Sequence, residues 1–435
     1  MSNSYLGFIS MTMALMAITA SAQTQDSIRT HIDIQISGRP DTKKALLYES
    51  GADIRFKAID VAKFVDGTCS FDYVSDYPRE MQIIFDDEFL TGRFKIKSFY
   101  AEGDTVKAFF EGNNTGIDCI KSSGTIQTAK KQLSDYIDRE SGGSLTELYR
   151  KMDEMESSGE MYVKEIRPIY LKMRNTKGSE RDSLKAIAEQ IAQKHDNNIK
   201  TEVYKKSYNK SLELLMKQDT IRWNYLIESS PSLLGLMEIR DQLRMESSFR
   251  NIDDAMERIE TIFNANYRDF SYHPYYDDCK LRFATRLFRP SREYNADYKI
   301  HAVDGSEVTM SDLISGRPAI IDLWASWCGS CRSKSKALIP IYQKFVPLGL
   351  SYVAVAREFG DTKLMLNAIE KDGYPWQSYV DIDDIDGIWA KNGCPNSGGR
   401  IFLIASDGKI VAVDPEIEFI EHYLVKHFYS AAKNN

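Results

Sequence analysis

The chain is poor in cysteine, with six in 435 residues: Cys69, Cys119, Cys279, Cys328, Cys331 and Cys394. That count excludes a disulfide-dense scaffold. Glycine and proline are unexceptional at 25 and 12, which excludes collagen-like and low-complexity architecture. No dense Lys/Arg block occurs and the net charge is −7, so the basic face of a nucleic-acid binder is missing. Lys205, Lys206 and Lys210 lie close together, but polar residues between them mark a solvated helix face. No internal stretch is long and apolar enough to span a bilayer. What the chain does hold is core material: 43% hydrophobic residues, including 24 Tyr and 20 Phe. That excludes a disordered chain. At roughly 150 residues per domain, the length suggests about three domains.

The first residues differ from the rest. Leu6 to Ile18 is mostly apolar and runs into Thr19-Ala20-Ser21-Ala22, then polar Gln23-Thr24-Gln25. Small residues at Ala20 and Ala22 fit the A-x-A rule for signal-peptidase cleavage. Residues 1–22 are therefore expected to be a signal peptide, although no Lys or Arg precedes the apolar run. No Cys sits at the cleavage site, so no lipid anchor is expected. Export leads to an oxidising compartment, where an open dithiol needs a supply of electrons.

Three patterns follow. Residues 23–125 read as an antiparallel β-sandwich. His31-Ile32-Asp33-Ile34-Gln35-Ile36 alternates with period two, and Met81–Phe85 and Thr105–Phe110 look like further strands. Turn residues separate them at Gly38-Arg39-Pro40, Asp66-Gly67, Glu102-Gly103-Asp104 and Gly112-Asn113-Asn114. Residues 126–292 switch to helical period. Leu184, Ile187 and Ile191 form one stripe, and Val203, Tyr208, Leu212 and Leu215 another, both expected to be core packing. Ser230-Pro231-Ser232 offers a helix start, and Tyr272-His273-Pro274-Tyr275-Tyr276 an anchoring loop. Residues 293–435 alternate strand and helix. Strands are expected at Ala319–Trp324, Leu350–Ala356, Ile401–Ile404 and Ile410–Val413, with helices at Cys331–Phe345, Thr362–Lys371 and Ile417–His427. This order predicts an α/β sandwich with a mixed sheet.

One cysteine pair is closely spaced. Trp327-Cys328-Gly329-Ser330-Cys331 falls where a strand gives way to a helix. Two intervening residues let both sulfurs meet at the first helical turn. The positive end of the helix favours thiolate, the attacking species in disulfide exchange. Cys328, at the exposed start, is the expected nucleophile, and Cys331 the resolving thiol. Gly329 gives the backbone freedom to approach a partner chain. A zinc site would need further ligands, and no second CxxC or His pair lies nearby, so no metal is expected.

The run Asp322-Leu323-Trp324-Ala325-Ser326-Trp327-Cys328-Gly329-Ser330-Cys331-Arg332 strongly resembles thioredoxin-like proteins. It is most similar to exported thiol-disulfide oxidoreductases of the TlpA/ResA type, in the long multidomain form common in Bacteroidetes. Asp304–Leu313 and the Phe402–Val411 hairpin support the likeness, which covers the last 140 or so residues. The resemblance implies a C-terminal α/β thioredoxin fold and disulfide reduction in partner proteins of the periplasm. It also implies a membrane thiol donor of electrons, and no cofactor beyond the Cys328–Cys331 disulfide. Asp322 matches the buried acid of thioredoxins. Desolvation would raise its pKa, so that it could take the proton of Cys331.

The chain departs from the family at two places. Ser330 stands where thioredoxins carry Pro, and its hydroxyl can bond a sulfur. The family's cis-proline position falls on Gly399; the nearest proline is Pro395. Either Pro395 takes the role from a longer loop, or the feature is lost. Gly398 and Gly399 would then allow unusual φ. Trp327, Gly329, Ser330 and Pro395 are the candidate partner-binding residues, and Trp324 is expected to shape the same surface. Cys394, in the same loop, is expected to be a small buried residue, with a bridge to Cys328 or a redox relay as alternatives, and Cys69 could bridge to Cys119. Three other readings compete. A thiol peroxidase, whose nucleophile usually follows Thr or Ser three residues earlier, needs that residue where Ala325 stands. A copper chaperone wants a wider cysteine spacing. A scaffold protein with a vestigial thioredoxin domain would bind envelope partners through its first two regions.

Overall fold

The computed structural model describes residues 27–91, 97–112, 119–174, 176, 178–244, 253–286 and 290–430. The expected signal peptide and Asn113-Asn114 lie outside them.

The first region holds β1 (Ile28–Ser37), β2 (Lys44–Glu49), β3 (Asp60–Lys63), β4 (Thr68–Ser75), β5 (Arg79–Phe85), α1 (Asp86–Thr91), β6 (Lys97–Ala101), β7 (Thr105–Glu111) and β8 (Ile120–Lys121). They form two four-stranded sheets, ordered β4-β1-β7-β8 and β3-β2-β5-β6. Strand alternation turns Ile32, Ile34, Leu47, Phe71, Ile83, Phe99 and Phe110 of both sheets into one core. The expectation of a purely antiparallel domain needs correction, because β1 and β7 pair in parallel from His31–Thr105 to Ser37–Glu111. The chain leaves β1, visits the other sheet twice, and returns beside β1 in the same direction.

The middle region holds α2 (Thr125–Ser141), α3 (Leu145–Ser157), α4 (Arg167–Arg174), α5 (Gly178–Lys194), α6 (Glu202–Glu228), α7 (Leu233–Arg244), α8 (Asp253–Asn266) and α9 (Pro274–Arg286). Its core gathers Trp223, Leu226, Leu236, Ile239, Phe263, Tyr267 and Phe283. The two expected stripes do not supply it. Ile187, Val203, Tyr208 and Leu212 are exposed. Only the last turns of α6 reach the core, and its middle is held by polar bonds. There the Gln218 amide donates to Asp138 Oδ1 and the Gly143 carbonyl, each at 2.9 Å. Ser232 caps α7, its hydroxyl accepting the Gly235 N–H at 3.0 Å. The expected aromatic loop becomes helix from Pro274, and this start of α9 with the residues before it anchors the region to the sheets. His273 Nε2 bonds the Pro78 carbonyl at 2.9 Å, and the Tyr275 hydroxyl accepts the Glu80 N–H at 3.1 Å. Burial drives the His273 pKa down to about 4, so the ring is neutral at pH 7.

The last region holds β9 (Lys299–Ala302), β10 (Glu307–Thr309), α10 (Met310–Ile314), β11 (Ala319–Trp324), α11 (Gly329–Phe345), β12 (Ser351–Glu358), α12 (Lys363–Asp372), β13 (Ser378–Ile382), α13 (Ile388–Lys391), β14 (Ile401–Ile404), β15 (Ile410–Val413) and α14 (Ile417–Ser430). The sheet runs β10-β9-β13-β12-β11-β14-β15 and is mixed as expected: β11 is parallel to β12 and antiparallel to β14. Central β11 is buried on both faces. Ile321 and Leu323 pack with Val353 and Phe402 on one side. On the other, Ile320 meets Leu338, Ile341 and Phe345 of α11. Trp324 joins Met365 and Ala368 of α12. Burying each such side chain contributes roughly 1.5–3 kcal/mol. Period two puts Asp322 on the same face as Ile320 and Trp324, under α11. Among the described residues no helix is long and apolar enough to cross a membrane.

Candidate active site

Cys328 is the N-cap of α11, with extended backbone, and its sulfur accepts the Cys331 N–H at 3.2 Å. The half-in cap position aims the side chain back over the first turn, where Cys331 meets it. The two form a disulfide with Cα atoms 5.3 Å apart. Against the expectation of an exposed Cys328, both residues are buried by the loop that faces them, Cys328 at 4% exposure and Cys331 at 7%. The Ser330 hydroxyl lies 3.5 Å from the Cys328 sulfur, within bonding distance of it. Gly329 is exposed, and a Cβ there would meet nothing, so this edge of the dithiol is open to another chain.

The loop before β14 faces the sulfurs with glycine. The Gly399 N–H donates to the Cys331 sulfur at 3.2 Å, and a Cβ on Gly398 would stand 3.6 Å from the Cys328 sulfur. All peptides among the described residues are trans, Pro395 included. Pro395 lies back along the loop, where its carbonyl accepts the Gly398 N–H at 3.3 Å. Neither Gly398 nor Gly399 has positive φ, against expectation. Gly399 is required by close approach instead, because a Cβ would fall 1.7 Å from the Leu323 carbonyl oxygen.

Asp322 is 2% exposed, and burial raises its pKa to about 6. It accepts a bond from the Tyr352 hydroxyl at 2.9 Å, and the Ser335 hydroxyl, which also bonds the Cys331 carbonyl, favours its charged form. A cavity of about 30 Å³ is lined by Asp322, Ser330, Cys331, Lys334, Gly399 and Arg400. That is room for a water between carboxylate and thiol. A second buried carboxylate went unnoticed in the sequence. Glu358, at the end of β12, accepts both the N–H and the hydroxyl of Ser326 at 2.7 Å. It braces the turn that leads into Cys328. An acid ending an apolar strand, beside a serine two residues from a CxxC, was the available signal.

The two tryptophans divide their tasks. Trp324 is fully buried against Tyr374, so it shapes the core and not the surface. Trp327 is half-buried between Phe359 and Trp389, with ring centroids at 6.0 and 5.5 Å. Over its ring, 3.7 Å from the centroid, lies the guanidinium of Arg55 from the first region. Cys394 packs against the cores on both sides of the sheet. Burial pushes its thiol, and that of Cys69, up to about 12, so neither is a nucleophile at pH 7. The disulfide is Cys328–Cys331; Cys394 is not bridged to Cys328.

Residues 293–413 match the AhpC/TSA family. No curated protein matches the chain. Among solved structures, part of the chain is similar to a secreted disulfide oxidoreductase of Mycobacterium tuberculosis, described as homologous to DsbE of E. coli. The identity is 18%, over 30% of this chain and 96% of that one, with a TM-score of 0.26. It is similar to the thioredoxin domain of a thiol-disulfide oxidoreductase from Bacteroides vulgatus, at 20% identity over 32% and 96%, TM-score 0.28. A thiol:disulfide interchange protein from a Bacteroides species aligns at 21% identity over 33% and 91%, TM-score 0.29. A strand-to-helix dithiol over a buried acid, in a segment that matches this family, defines a thioredoxin-like oxidoreductase.

Proposed function

We propose that the chain is an exported thiol-disulfide oxidoreductase of the TlpA/ResA type that reduces disulfides in partner proteins of the cell envelope. The observation that carries this reading is the Cys328–Cys331 pair capping α11 above Asp322. In the reduced protein the Cys328 thiolate attacks a partner disulfide. A mixed S–S bond forms, the partner's bond breaks, and one partner sulfur leaves as thiolate. Cys331 then passes its proton towards Asp322, through the small cavity, and attacks the Cys328 sulfur. The internal disulfide forms and the second partner sulfur is released. Two electrons move from the dithiol to the partner. A membrane thiol donor returns them, and the disulfide is the only redox group required. Ala325, fully buried, offers no hydroxyl to hold a peroxide, which disfavours the peroxidase reading.

The test is redox equilibration of the purified chain in glutathione buffers, read by thiol alkylation and mass spectrometry, with Cys328→Ser alongside. A reversible two-electron couple linking Cys328 and Cys331 at a strongly reducing potential is expected. A far more oxidising couple would turn the protein towards disulfide formation. A pair that never cycles would leave the scaffold reading.

A further inference from the structure

The loop Ser50–Lys57 connects β2 to β3 in the first region, yet it lies against the dithiol face of the last. Asp53, 2% exposed at its side chain, accepts Arg357 Nη1 at 2.8 Å and Arg55 Nη1 at 2.8 Å on one oxygen. Its other oxygen accepts the Arg55 N–H at 3.0 Å. Arg357 is itself paired with Asp384. Phe56 meets Phe359 edge-on at 5.0 Å, and Asn396 donates to the Gly51 carbonyl at 3.3 Å. From behind, Arg240 and Arg244 of α7 hold the Ser50 carbonyl at 3.3 and 3.0 Å. Gly51 has φ of +79°, and a Cβ there would collide with Arg244. The loop is therefore wedged between the helical region and the active-site rim.

What this wedge delivers to the rim is Arg55. One face of its guanidinium covers Trp327, the residue before the nucleophile, and Nη1 donates to the Asn396 carbonyl at 3.1 Å. Asn396 leads into the glycine pair that faces the sulfurs. The counter-ion Asp53 is buried, while the Arg55 side chain is 38% exposed, so an approaching chain meets the cation. Beyond the glycine pair stand Arg400 and Lys334, the latter 3.4 Å from Asp414 and half exposed. Cations thus stand before and after the segment that faces the disulfide, in a protein of net charge −7.

We propose that Arg55 is a specificity-determining residue of the dithiol site, supplied by the first region, and that it selects polypeptide disulfides whose cysteine is flanked by carboxylates. This rests on the reading of Cys328–Cys331 as an exchange site. Stacking on Trp327, the residue before the nucleophile, holds the guanidinium in place at the rim, so little entropy is lost when a carboxylate pairs with it.

The experiment uses the reduced full chain and three disulfide-linked peptides, identical except for Asp, Asn or Lys beside the cysteine. Second-order rate constants are followed by stopped-flow tryptophan fluorescence. The native chain should favour the Asp over the Lys peptide by roughly tenfold at low salt, a gap that salt narrows. Arg55→Gln should shrink that ratio about fivefold, the size of one well-placed ion pair. Arg55→Lys, which keeps the charge but loses the planar stack on Trp327, should retain only part of it. Lys57→Ala, an equal charge loss on the same loop, should leave the ratio alone. A ratio unchanged in Arg55→Gln, or reduced as much by Lys57→Ala, would overturn the assignment of Arg55. If no peptide is reduced at all, it is the oxidoreductase reading that fails.

Discussion

Burial leaves the Asp322 carboxyl titrating at about 6, against an ordinary value of 3.8. The sign of the consequence is fixed. Between those two values the unfolded chain has lost a proton that the folded chain keeps, so stability falls as pH rises through this window. The full cost, about 3 kcal/mol from a shift of about two units, is present above pH 7 and absent below about pH 4. Asp322→Asn should therefore stabilise the oxidised protein by about 2–3 kcal/mol at pH 8 and little at pH 4, in urea titrations at both pH values. The same change removes the group proposed to accept the Cys331 proton, so on that proposal release of a mixed disulfide should slow on the order of a hundredfold. At this scale the sequence was informative where chemistry is written in adjacent letters. Cys328, Cys331 and Asp322 sit within ten residues of each other. Glu358 and Gly399 were harder to read, because their roles depend on which strand ends lie beside β11. Gly399 in particular is glycine because of the Leu323 carbonyl, a contact 76 residues away in the chain.

The helix α11 turns an ordinary cysteine pair into an ordered one. Its first turn gives the cap position to Cys328 and leaves Cys331 a turn inside, with Gly329 open between. Reactivity should follow that order. After reduction, iodoacetamide at pH 7 should label Cys328 first and Cys331 later. Cys69 and Cys394, whose thiols burial holds near 12, should label only on unfolding. Peptide mapping over time checks it, and early labelling of Cys394 would contradict the packing. The elements themselves were legible in proportion to their burial. β11, β12 and β14 carry mostly apolar runs and stand where the pattern put them, β12 extending two residues further to Glu358. β9, β10 and β13 span three to five residues and carry no comparable run. The exposed stripes of α5 and α6 show the opposite error. Periodicity marks a face that could be buried, and only packing decides whether anything covers it.

At the scale of the molecule, the three regions meet at one loop. Asp53 and Arg357 are both 2% exposed at their side chains, and breaking such a pair strands a buried charge. Arg357 keeps Asp384, so Asp53→Ala should cost about 3 kcal/mol, the lower end for a buried pair. Trypsin should then cut after Arg55 and Lys57, sites the docked native loop protects, and digestion followed by mass spectrometry reads this out. No sequence pattern foretold the contact, since neither segment carries a periodic or motif signal for the other.

The bond from Arg357 to Asp53 joins positions 304 residues apart, and that from Asn396 to Gly51 joins positions 345 apart. A ribosome makes the loop long before it makes the surface that receives it. Since the entropy of closing a chain grows only with the logarithm of its length, the distance itself is a mild obstacle. The order of events is the stricter one. The sheets and helices can fold while the dithiol domain is still being synthesised, and that domain can fold by local pairing before it docks. Arg55 can take its seat on Trp327 only once that surface exists, so a newly made molecule has its dithiol before the proposed partner site is complete.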